Sequence, residues 1–215
     1  LIFPWPGCGR KSNLLKKILP FFSYLFHPLF IPVFAVLSYL FLSENYLVPA
    51  EKFLVIIQIV IITVLIPIAF FFLLRSMGKM DTIMASDLRQ RKLPLILQAI
   101  LIIILIRQSF LMDRVPVLHF FFIGALLSII LALMLLFCKI KASLHMLGMA
   151  SLVFFMIALS YFTQHNSIPY IAFLFIMTGV VATSRLHMQA HTNKELAIGF
   201  LCGMFSQMAF WYFWL

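Results

Sequence analysis

Charge is what this sequence has least of. Asp, Glu, Lys and Arg together make up 10% of its 215 residues, whereas apolar residues make up 64%, and the mean hydropathy is +1.12. No water-soluble domain of this length hides so much apolar surface, but a bilayer accepts it. The chain therefore reads as an integral membrane protein. Cysteine is scarce too: Cys8, Cys138 and Cys202 are far apart and odd in number, which excludes a disulfide framework and a thiolate metal cluster. Paired aspartate-rich motifs are missing. Asp81 and Asp87 are the only loop candidates, and this weighs against a polyprenyl transferase. There is no fixed-period repeat, no low-complexity tract and no linker long enough to separate two domains. The net charge of +10 has no soluble basic domain to carry it, so it points to anionic lipid headgroups and away from nucleic acid.

What is present is a series of apolar stretches, each able to cross a bilayer of roughly 30 Å or nearly so. They run about Ile18 to Leu42, Phe53 to Leu74, Leu93 to Met112, Pro116 to Cys138, Ala142 to Phe162, Ile168 to Val181 with some continuation, and Leu196 to Leu215. Barrel-strand alternation is absent, and unpaired backbone groups cannot face lipid, so the spans are helices. The expected fold is all-α: a polytopic transmembrane helical bundle of about six to seven spans. Residues 1–17 form an amino-terminal arm without the apolar run of a signal peptide, and residues 18–215 form one transmembrane domain. Pro28 and Pro32, beside His27, predict that the first span kinks or re-enters.

Lys and Arg collect on one face. The arm and the loops after spans two, four and six hold thirteen of the sixteen, against Lys52, Arg107 and Arg114 on the other face. The positive-inside rule then predicts a cytoplasmic amino terminus, and the expected location is a bacterial inner membrane. Three polar segments share the basic face, because two crossings separate each from the next. They are the loop holding Arg89, Arg91 and Lys92 before Pro94; Ala142 to His145; and Ser184 to Glu195.

Ionisable residues at the edge of a membrane segment are costly, so such a group marks a site. Placed on a helix, His191 and Glu195 stack one turn apart, letting the carboxylate orient the imidazole, while the fork of Arg185 suits a phosphate. Several cations, a hydroxyl and two histidines suffice to hold a phosphoryl group and displace its leaving group.

The third segment, Ser184-Arg185, five residues, His191, three residues, Glu195, resembles the third motif of the type 2 phosphatidic acid phosphatase superfamily, which shares its catalytic core with vanadium haloperoxidases. Glu195 stands where that family has Asp. The second motif, Pro-Ser-Gly-His, is half matched by Ser143 and His145, with Ala142 and Leu144 in place of Pro and Gly. The first, a Lys, six residues, then Arg-Pro, is met only in kind by Arg89, Arg91, Lys92 and Pro94. Similarity spans about Arg89 to Gly203.

This resemblance implies a phosphatase/haloperoxidase-like core hydrolysing a lipid phosphate monoester or polyprenyl diphosphate through a phosphohistidine. His191 would be the nucleophile, Glu195 its orienting partner and His145 the acid. Arg185, Arg91, Arg89, Lys92, Ser143 and Ser184 would bind the phosphoryl oxygens. It implies no metal or other cofactor, and as partners only the lipid phosphate and membrane lipids.

Two alternatives stay open. The scaffold could be an inactive lipid-binding protein. Or His187, His191 and Glu195, at four-residue intervals, could form a zinc-binding stripe with His145. His27 and His119 read as structural polar contacts, and Gly199 with Gly203 as a close-packing pair.

Overall fold

The computed structural model describes residues 18–43, 47–78, 88–107 and 113–213, with the side chains of 88–90 excepted. The amino-terminal arm, Cys8, Asp81, Asp87, Trp214 and the side chain of Arg89 thus lie outside the described residues. Every regular element described is helical. Residues 18–25 form α1, and Ile31–Leu42 form α2. There follow α3 (Pro49–Ser76), α4 (Leu88–Ile106), α5 (Pro116–Phe137), α6 (Leu144–Thr163), α7 (Ile168–His187) and α8 (Asn193–Met208), with a single 3-10 turn at Trp211–Phe213.

Among the described residues, five helices are long and apolar enough to cross a membrane: α3, α5, α6, α7 and the segment Asn193–Phe213. The chain is a multi-pass membrane protein. Around these five stand α4, 19 residues long, and the shorter apolar α2, in places where the hydropathy predicts spans. The expected break in the first span occurs at residues 26–30. Pro28 cannot donate a backbone N–H, and it disfavours helical geometry at His27, so α1 stops there and α2 restarts with Pro32 in its first turn. In α3 the helix widens into a π turn at Ile61–Leu65, just before Pro67, where a regular ladder would need a donor that Pro67 lacks.

Among the five long helices α6 is the central one. Two thirds of its apolar window (67%) is buried inside the protein, against 22–33% for the others, whose outer faces are left for lipid. Lipid tails are as apolar as the helices, so no hydrophobic force drives helices together inside a bilayer and close van der Waals fit must do so. Small residues provide that fit between α6 and α8. A Cβ added at Gly199 would stand 2.3 Å from the carbonyl oxygen of Ser143, and one at Gly203 would stand 2.1 Å from that of Leu147. The Gly199/Gly203 pair is thus a close-packing device, as its spacing predicts. The backbone N–H of Ser143 also donates to the carbonyl of Glu195 (3.1 Å), pinning the start of α6 to the first turn of α8.

Candidate active site

The start of α4, the start of α6, the end of α7 and the start of α8 lie at one end of the bundle, as alternate crossings require. One cavity opens among them, with a volume of about 570 Å³. Arg91, His145, Arg185 and His191 all line it, and so does His27 from the break in the first span. The remaining wall is mostly apolar, with Phe70, Phe71, Phe121 and Ile129 among its side chains. The chamber is therefore polar where the cations and imidazoles meet and apolar along the rest.

Ser184 and Arg185 do not follow the span, as the hydropathy suggests, but form the last turns of α7, where both are buried. The helix then ends. Gln189 takes a positive φ of 52°, reversing the chain, and the N–H of Ala190 donates to the carbonyl of Arg185 (3.1 Å). Thr192 caps α8 by accepting from the N–H of Glu195 (3.4 Å). His191 therefore precedes α8 and does not share a helix with Glu195, which corrects the one-helix reading. The pair forms nonetheless: His191 Nδ1–H donates to Glu195 Oε2 at 2.7 Å. With Nδ1 engaged, Nε2 carries the free lone pair on a ring that is itself buried. Burial lowers the pKa of His191 below the ordinary imidazole value, and Arg91, Arg185 and Lys141 lower it further, against the opposing pull of the Glu195 hydrogen bond. The imidazole is neutral at neutral pH.

His145, in the first turn of α6, is oriented by a group that no motif contains. Its Nε2–H donates to the backbone carbonyl of Ser23 on α1 (3.0 Å), leaving Nδ1 as the working nitrogen. Ser184 explains how α1 reaches this position. Its Oγ donates to the carbonyl of Leu19 (2.7 Å) and accepts from Ser23 Oγ (2.8 Å), so α7 clamps α1 beside α6. Arg91 is buried as well, and its Nη1 reaches the carbonyl of Ala142 at 3.5 Å.

Several expected phosphate ligands are used differently. Ser184 holds α1 and does not line the cavity. Ser143 is fully buried, also away from the lining, and contributes its backbone to the α6–α8 contact. Lys92 turns its Nζ over the ring of Phe137, 4.9 Å from the centroid, in a cation–π contact. The zinc stripe does not form, because the end of α7 leaves His187 exposed, and among the described residues no three His, Cys, Asp or Glu side chains gather to hold a metal.

Sequence reasoning missed two members of this region. Lys141 donates to the carbonyl of Ala190 (2.9 Å) and stands 3.8 Å from Glu195 Oε2, tying the loop before α6 to the loop before α8. Its position two residues before Ser143 was the available signal, but a cation at a helix end equally suits topology. His27 was the second, and its signal was the Pro28 that follows it.

In comparisons with known proteins, no family model, no curated protein and no solved structure matches this chain.

Proposed function

We propose that this protein is a membrane-embedded phosphatase, a divergent member of the type 2 phosphatidic acid phosphatase superfamily, that hydrolyses a lipid phosphate monoester or a polyprenyl diphosphate in a bacterial inner membrane. One observation supports this above the others: Arg91, His145, Arg185 and His191, from three separate stretches of sequence, line one chamber whose remaining wall is mostly apolar. A phosphoryl headgroup with a hydrocarbon tail is the ligand that satisfies both halves.

The chemistry follows from the hydrogen bonds. His191 Nε2 attacks phosphorus with its lone pair while Glu195 holds Nδ1–H and stabilises the positive charge growing on the ring. The bond from phosphorus to the leaving oxygen breaks, and that oxygen takes a proton from Nδ1 of His145, which has accepted it from the entering phosphate monoanion while Nε2–H stays on the Ser23 carbonyl. Water then gives a proton back to His145 and attacks the phosphohistidine, breaking the P–N bond and releasing phosphate. Arg91 and Arg185 neutralise the equatorial oxygens throughout, each offering a fork of donors that matches them. The first turns of α6 and α8 lie at the same end, and their N-termini favour an anion there.

The test is phosphate release from phosphatidic acid, phosphatidylglycerol phosphate and polyprenyl diphosphate by the purified protein, run beside His191→Ala. Release from at least one lipid, abolished in the variant, is the expected result. Release that survives His191→Ala would overturn the nucleophile assignment. Vanadate binding without release from any of the three would favour the inactive lipid-binding scaffold.

A further inference from the structure

His27 lies outside all three motif segments, yet it faces the same chamber as Arg91, Arg185, His145 and His191. Its position comes from the Pro28 break. With the helix stopped at residue 25, the chain turns across the cavity wall before α2 begins, and the imidazole projects at that turn. Two contacts fix the ring. It packs edge-on against His145, with centroids 5.2 Å apart and planes at 85°, and the backbone N–H of Leu29 donates to its Nδ1 at 3.3 Å. A ring nitrogen that accepts a hydrogen bond holds a lone pair, so the proton of the neutral imidazole stands on Nε2. Among the described residues no protein acceptor takes that N–H.

We propose that His27 is a phosphate-binding residue, whose Nε2–H donates to a non-bridging oxygen of the phosphoryl group; the inference rests on the phosphatase reading of this site. A neutral donor suits the place. Arg91 and Arg185 already bring two positive charges to this chamber, and a third would be repelled by both, whereas an N–H dipole adds stabilisation of an oxyanion without that repulsion. The broken first span is then part of the anion cradle twice over, through His27 directly and through the Ser23 carbonyl that positions His145.

Orthovanadate, titrated against the full-length protein in detergent, reads this donor apart from turnover. His27→Gln places an amide N–H near the position of Nε2, while His27→Phe keeps the ring and removes the donor. Vanadate affinity is expected to fall about ten- to a hundredfold in His27→Phe, the range for a lost hydrogen bond to a charged group, and to stay within about threefold in His27→Gln. Thermal unfolding without vanadate separates packing from binding. His27→Ala makes the same comparison where phenylalanine is not accommodated. Wild-type affinity in both variants that lack the donor, or equal losses in Gln and Phe accompanied by lower unfolding temperatures, would overturn the role of His27 alone. A wild-type protein that binds no vanadate would overturn the phosphatase reading together with it.

Discussion

At the scale of single residues, the His191–Glu195 pair makes opposite demands on one ring, and pH resolves them. A buried imidazole resists protonation, whereas the carboxylate partner favours it, and here burial wins, so the folded pKa lies below the ordinary value. A nucleophile must be deprotonated to attack. The rate should therefore persist as pH falls past about 6.5, the usual imidazole value, and be lost only as His191 takes up its proton at lower pH. Two substitutions move this acid limb in opposite directions. Glu195→Gln removes the interaction that raises the pKa, so the limb shifts to lower pH while kcat falls, by about a hundredfold or more. Lys141→Gln removes a nearby positive charge, so the limb shifts upward. A pH–rate profile of the three proteins checks both signs. Arg185→Lys keeps the charge but loses the planar fork, and kcat should drop about 10²- to 10³-fold. Chelators should leave turnover unchanged, because in the proposed reaction the guanidiniums of Arg91 and Arg185 meet the charge on the phosphoryl oxygens.

At the scale of elements, the helices are held by fit, and the fit sets the site. The backbones of α6 and α8 approach so closely at Gly199 and Gly203 that neither position has room for a Cβ, and the obstructing atoms include backbone carbonyls, which cannot swing aside. Gly203→Ala should destabilise the protein by about 1–3 kcal/mol, measurable as a lower unfolding temperature in detergent. Activity should fall with it, since prying α8 from α6 separates Glu195, in the first turn of α8, from His145. These elements were legible to different degrees. Hydropathy located the five helices long enough to cross, because apolar length is what a bilayer selects, but two of its seven stretches, those of α2 and α4, fall short of that measure among the described residues; Pro28 and Pro32 announced the break in the first. The end of α7 was harder to read. Ser184 and Arg185 look like the polar stop of a span, yet they are buried helix, because the protein itself, and not lipid, surrounds them. Hydropathy cannot distinguish a polar residue that faces water from one that faces a cavity. For the same reason the spacing of Arg185, His191 and Glu195 picked out side chains that do come together, while the contacts of Ser184, Ser143 and Lys92 depended on directions that spacing does not encode.

At the scale of the whole molecule, the site and the charge asymmetry occupy the same end, and this makes sidedness testable. Arg75, Lys139, Lys141 and Lys194 all stand at or near helix ends on that side, while Arg114 pairs with Glu51 at 3.0 Å across the starts of α5 and α3, at the opposite end. The positive-inside rule would place this basic end, and the chamber with it, in the cytoplasm. Cys138, the residue that ends α5, offers a reporter: it is an exposed free thiol on the site's side of the bundle. With Cys8 and Cys202 replaced by serine, a membrane-impermeant maleimide should label Cys138 in inside-out vesicles and fail to do so in intact right-side-out ones. Vanadate, which does not cross the bilayer freely, should inhibit phosphate release from the same side. Labelling from the outer side would reverse the orientation, and the lipid phosphates within reach would then be those of the outer leaflet. Because the thiol and the chamber share one end of the bundle, the two probes must agree; disagreement would mean that the phosphate site is reached from the other side of the membrane.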